Sequence, residues 1–164
     1  MKRIAFVLFL AFALMSLLAP AALAQTGSQT QQTPEKYLEL LRRNVRTDKV
    51  AIMTEALDLP QAKADLFWPI YREYEKEIAT LGDRGVALVK KYAAQYGQLT
   101  DQGASEIMKE WFSIKKARTD VLQKYHAKVE KAVGGLIAGQ FVQVENVLGM
   151  LIDIQIAAEI PLLE

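Results

Sequence analysis

The chain has 164 residues, with 20 Lys or Arg against 19 Asp or Glu and a formal net charge of +1. Such a balance gives no electrostatic case for general nucleic-acid binding. With no cysteine there is no disulfide staple, no lipidated cysteine and no cysteine-based zinc site.

The chain opens on Met1-Lys2-Arg3, a positive head, followed by a nearly unbroken apolar run over residues 4–18. Pro20 breaks that run, and Ala22-Leu23-Ala24 is a small-x-small site before the polar Gln25. This order predicts a secretory signal peptide over residues 1–24, cleaved between Ala24 and Gln25. The apolar run is 15 residues long, short of the roughly 20 a spanning helix needs. The expected compartment is therefore the periplasm of a bacterial-type cell, with no stable membrane insertion after cleavage. Losing Lys2 and Arg3 leaves 18 basic and 19 acidic residues, a net charge of −1. Residues 25–33, QTGSQTQQT, lack apolar periodicity and are read as a flexible polar leader.

From there the spacing predicts helices. Pro34 suits a first helical position, Glu35 places negative charge near the amino end, and Tyr37, Leu38, Leu41 and Val45 form one stripe. Thr47 is the expected N-cap of a short helix over 48–57, with Val50, Met53 and Leu57 on one face. A long helix follows over 60–96, carrying Phe67, Ile70, Tyr71, Tyr74, Ile78, Leu81, Leu88 and Tyr92 at helical spacing. Pro69 lacks an amide donor and crowds the preceding turn, so a kink is expected over 65–69. Gly82 and Gly85 are read as marking a bend or a close helix approach. Gly97 ends this helix and Thr100 is the next N-cap, opening a helix with Ile107, Met108, Trp111, Ile114, Val121, Leu122, Tyr125 and Val129. Gly134-Gly135 breaks the chain, and a last helix over 136–160 ends at Pro161. No strand-like alternation persists. The fold class is all-α: a long kinked antiparallel helical hairpin with short N-terminal helices and an apolar C-terminal helix, residues 34–164 forming one domain.

Residues 53–83 carry seven acids and three bases, and residues 105–131 seven bases and four acids. Antiparallel pairing sets these segments opposite each other. Either they pair across the hairpin or each solvates an outer face. Glu73, Glu75 and Glu77 read as a solvated charged face, since alternate helical residues do not converge on one substrate.

No catalytic constellation is legible: no Ser/His/Asp arrangement, no phosphate loop and no dinucleotide fingerprint. His126 is the single histidine, and it gives no metal site by spacing. The expectation is a protein that is not an enzyme and needs no cofactor or metal. Core packing accounts for most aromatics. Adjacent helical residues point about 100° apart, however, so one of each pair Phe67-Trp68 and Trp111-Phe112 can leave the core. These four are the candidates for an apolar binding patch. Residues 147–163 are apolar nearly all round, interrupted by Asp153, Gln155 and Glu159. Such a helix is either the central core element or an interface to a second copy or another partner.

Leu59-Pro60-Gln61-Ala62-Lys63 and Leu99-Thr100-Asp101-Gln102-Gly103, each at a helix start, resemble the repeated turn-and-cap motif of the LTxxQ-motif family, the periplasmic helical stress proteins of the Spy/CpxP type. The first has Pro60 in place of the capping Thr and Lys63 in place of Gln, and the second has Gly103 in place of Gln. The segments 67–75 (FWPIYREYE) and 140–146 (QFVQVEN) resemble divergent exported relatives, and the similarity spans residues 48–163. The resemblance implies an envelope protein that binds exposed apolar segments of other proteins, unfolded clients among them, or senses envelope stress. Some relatives bind metal through histidine-rich sites, which His126 alone does not reproduce.

Overall fold

The computed structural model describes residues 48–160. The expected signal peptide with its Ala24/Gln25 cleavage site, the polar leader, the helix starting at Pro34, the Thr47 cap and Pro161 lie outside the described residues. Four helices make up the described part: α1 over residues 48–57, α2 Gln61–Gln95, α3 Asp101–Val133 and α4 Gly135–Glu159.

α1 buries Lys49, Met53 and Leu57, which are spaced by four and so share one face. Val50, expected on that face, is exposed. It sits about 100° round the helix from Lys49, and the lysine goes inside because two carboxylates meet it there. The helix ends at Asp58, whose φ of 44° lies in the left-handed region. Its N–H donates to the Thr54 carbonyl at 3.1 Å, satisfying an end that glycine more often closes. Pro60 then serves as the N-cap of α2, with its carbonyl accepting from the N–H groups of Lys63 and Ala64.

α2 is one unbroken helix of 35 residues, about 52 Å long at 1.5 Å per residue. Pro69 lies inside it without splitting it. The missing proline amide leaves the Asp65 carbonyl without its intrahelical donor. The inward positions are Phe67, Tyr71, Tyr74, Ile78, Leu81, Leu88 and Tyr92, alternating steps of four and three. The step between Leu81 and Leu88 is filled by Gly85. That is the seam spacing of a coiled coil. A Cβ added at Gly85 meets nothing within 4 Å, so this glycine does not mark the close helix approach expected of it.

The α2–α3 turn uses Gly97 at φ 75°, a conformation that favours glycine. Thr100 caps α3 as expected, its Oγ1 accepting from the Gly103 N–H at 3.1 Å. The two helices then run antiparallel, and the charge asymmetry resolves in favour of pairing across the hairpin. Lys91 reaches Glu106 at 3.1 Å, Arg84 reaches Glu110 at 2.9 Å, Lys124 reaches Glu77 at 2.7 Å and Lys128 reaches Glu73 at 2.8 Å. Exposed pairs contribute about 0–1 kcal/mol each, so their main effect is to select one register.

Gly134, at φ 102°, is the single residue between α3 and α4. Lys63 donates from Nζ to the Val133 carbonyl at 3.2 Å, placing positive charge on the carboxyl end of α3. α4 folds back along α3, and Asp153 takes ion pairs from Lys115 and Arg118. Two apolar clusters result. The larger joins Met53, Leu57, Phe67, Tyr71, Tyr125, Val129, Val133, Ile137 and Phe141 at the end where α3 meets α4. The smaller joins Leu88, Tyr92, Ile107 and Ile114, with Leu99 and Ile160 against it, near the α2–α3 turn.

Gly134→Ala forces an L side chain into this positive-φ joint. It is expected to lower stability by more than about 1 kcal/mol, read from urea unfolding followed by helical circular dichroism.

Candidate functional site

Two features stand out from a packed helical bundle: a polar cluster inside the larger apolar core, and an apolar face outside it.

The polar cluster centres on Glu145 of α4. This residue lies on the inward face with Ile137, Ala138, Phe141 and Leu148, and it is buried. Its Oε1 accepts from the Tyr71 hydroxyl at 3.1 Å, and its Oε2 from the Tyr74 hydroxyl at 2.8 Å. Oε2 also pairs with Lys49 Nζ at 2.9 Å, and the same ammonium reaches Glu75 Oε1 at 2.6 Å. Three helices thus meet at one carboxylate: α1 supplies the cation, α2 both phenols and a second carboxylate, α4 the first. Around it the rings of Tyr74, Tyr125 and Phe141 pack edge to face, with centroids 5.2–5.6 Å apart.

The chemistry of this cluster is self-contained. Burial first, and the Glu145 carboxylate second, push the phenols of Tyr71 and Tyr74 far above their ordinary range. Both therefore stay protonated donors at neutral pH. Burial and a hydrogen bond to Glu77 push Tyr125 up to about 12. Hydrogen bonds from Lys124 and Tyr125 hold Glu77 below the usual carboxylate range. Each polar group of the cluster is occupied by another, which is the arrangement of a structural clasp. His126 lies 4.0 Å from Glu130. Among the described residues no three His, Asp or Glu side chains are grouped to hold a metal ion. An open groove of about 430 Å³ runs beside α1, lined in part by Val50, Trp68, Arg72 and Lys76.

The four aromatics expected to form an apolar patch are not brought together. Phe67, placed on that patch from the sequence, is fully buried. It occupies a seam position of α2, where it packs on Phe141 and Tyr71, and is thereby removed from any surface. Trp68 is half-buried, with its ring set edge-on to Phe67 at 5.1 Å. Trp111 and Phe112 are exposed, at 42% and 61%, and contact each other edge to face at 4.9 Å. Lys115 lies over the Trp111 ring at 5.4 Å and also pairs with Asp153 of α4, so this aromatic pair borders α4.

The larger apolar surface lies on α4 itself. Between 135 and 158 the only charged residues are Glu145 and Asp153, and both turn toward the bundle, one into the clasp and one onto α3. The opposite face carries Val147, Met150, Leu151 and Ile154, between 43% and 60% exposed, with Ala157 and Ala158 also exposed. α4 is therefore not the central core helix that its composition allows. Residues Gly135–Ala158 are long and apolar enough to cross a membrane, yet both charges are satisfied by the bundle. This outer face, with Trp111 and Phe112 beside it, is the candidate functional surface.

The clasp was missed in the sequence, where Glu75 reads as part of a solvated face. The signal for it was present: Lys49 falls four before Met53 and Glu145 four after Phe141, two opposite charges at core spacing on different helices.

Lys49→Met leaves Glu145 buried without its cation. It is expected to lower stability by about 3–5 kcal/mol, measured by urea unfolding. The raised phenols also set an alkaline limit. Their stabilisation is full below the ordinary tyrosine value of about 10 and is lost as pH rises above it through the folded values. In an alkaline titration, the tyrosinate absorbance of Tyr71, Tyr74 and Tyr125 should appear only together with loss of the helical signal. Early ionisation of all six tyrosines would contradict the clasp.

No family model, curated protein or solved structure matches the chain.

Proposed function

We propose that this protein is an exported, non-enzymatic binder of apolar protein segments, acting in the periplasm as a chaperone-like protein or an envelope-stress adaptor. The observation that carries the reading is the outer face of α4: four large apolar side chains in a row, free of charge, on a helix whose two carboxylates point the other way. Contiguous exposed apolar surface of this kind marks interaction sites. Trp111 and Phe112 widen it with aromatic rings, the side chains that contribute most to binding at protein interfaces. The ion pairs of Asp153 with Lys115 and Arg118 favour one rotation of α4, so the face is held outward in the absence of a ligand. Export rests on the amino-terminal pattern of charge, apolar run and small-residue site. A compartment without ATP suits a binder that works by surface alone.

The purified protein should suppress aggregation of an unfolded client at near-stoichiometric ratio and without nucleotide, as measured by light scattering. Met150→Lys together with Ile154→Lys should abolish suppression while leaving the helical signal and thermal midpoint in place, since both side chains already face solvent. Full suppression by that double variant, or none by the unaltered protein, overturns the reading.

A further inference from the structure

The apolar face of α4 has a pattern of sizes that points to its occupant, an inference that rests on reading this face as a binding surface. Val147, Met150, Leu151, Ile154, Ala157 and Ala158 recur at steps of three and four and are all exposed. The branched Val147 stands at one end and the small Ala157 and Ala158 at the other. The midpoint between Val147 and Ala158 falls between Leu151 and Ile154. A second α4 laid antiparallel about that midpoint sets Val147 against Ala158 at both ends, and Leu151 against Ile154 in the middle. Large side chains then fill the space beside small ones, as close packing requires. A parallel copy sets valine on valine and alanine on alanine, crowding one end and leaving a gap at the other.

Charge and area agree with this pairing. The face holds no Asp, Glu, Lys or Arg, so two copies bring no like charges together. Residues 147–158 supply about 18 Å of helix, short of the roughly 800 Å² per partner that a stable interface buries. The remainder comes from α3. Lys115 pairs with Asp153, so Trp111, one turn earlier on α3, stands level with Ala157, one turn later on α4. In the antiparallel arrangement that is the level of the other copy's Val147. Each copy thus contributes Trp111 and Phe112 to the flank of the other.

We infer that a second copy of this chain covers the α4 face, as a symmetric antiparallel pair of α4 helices flanked by Trp111 and Phe112. Pairing and client binding use the same surface, so each excludes the other.

Sedimentation equilibrium of the purified protein over a wide concentration range should show the mass rising from one copy to two. Ile154→Asp should remain a single copy with an unchanged thermal midpoint. The chain lacks cysteine, so register can be read directly. A mixture of Leu151→Cys and Ile154→Cys proteins should form a disulfide-linked heterodimer faster than either variant links to itself. Self-linking that equals or exceeds the mixed product overturns the antiparallel pairing. A single copy at every concentration overturns the inference altogether. If that single copy still suppresses aggregation, the occupant is a client and the functional reading stands. If it instead floats with anionic lipid vesicles, the occupant is a bilayer. A dimer of the expected register that holds no client keeps the inference and removes the functional reading.

Discussion

A carboxylate inside an aromatic core must be met at its lone pairs, and meeting Glu145 fixes the placement of three helices at once. Taking such a group out of water costs several kcal/mol. Tyr71 and Tyr74 from α2 and Lys49 from α1 offset that cost only if they arrive at 2.8–3.1 Å. Apolar contact is non-directional. Met53 and Leu57 alone could let α1 slide along the groove between α2 and α4. The ammonium of Lys49, held between Glu145 and Glu75, leaves one position. The clasp thus acts on register, as the exposed pairs of the hairpin do, but in a setting where a missing partner is far more costly.

What could be read from the sequence followed from patterns contained within one helix. The steps of four and three from Phe67 to Tyr92, the Thr100 cap and the glycine breaks at 97 and 134 are local, and local periodicity reports them. The clasp is not local. Lys49 and Glu145 are 96 residues apart, and each alone looks like a polar interruption. A hydrophobic template therefore puts Val50 inside and Lys49 out. The pair Phe67-Trp68 shows the same limit: adjacency says that one side chain can leave the core, while only the seam register tells which. For residues 147–158, composition leaves a central helix and an interface helix equally open. The direction taken by Glu145 and Asp153 decides between them.

α4 inverts the usual logic of a surface helix. Its charged residues face its neighbours and its apolar residues face away. The polar contacts hold the helix in place, and the apolar surface is left for another molecule. Attachment and recognition therefore occupy opposite sides of one element, and substitutions on the outer side leave the bundle's own contacts untouched.

The span of the Lys49–Glu145 pair also sets an order of assembly. The cross-hairpin pairs join residues 15 to 55 apart, and closing such short loops is entropically cheap. Contacts of that range form early, whereas distant ones wait on the chain between them. A polypeptide made from its amino end produces α1 first, yet the carboxylate that seats α1 belongs to the last helix. Until α4 is made, Met53, Leu57 and the aromatic seam of α2 have no finished core to enter. The earliest helix of the bundle is therefore the last to be secured, and the incomplete chain passes through a stage in which its own apolar residues are as exposed as those of an unfolded protein.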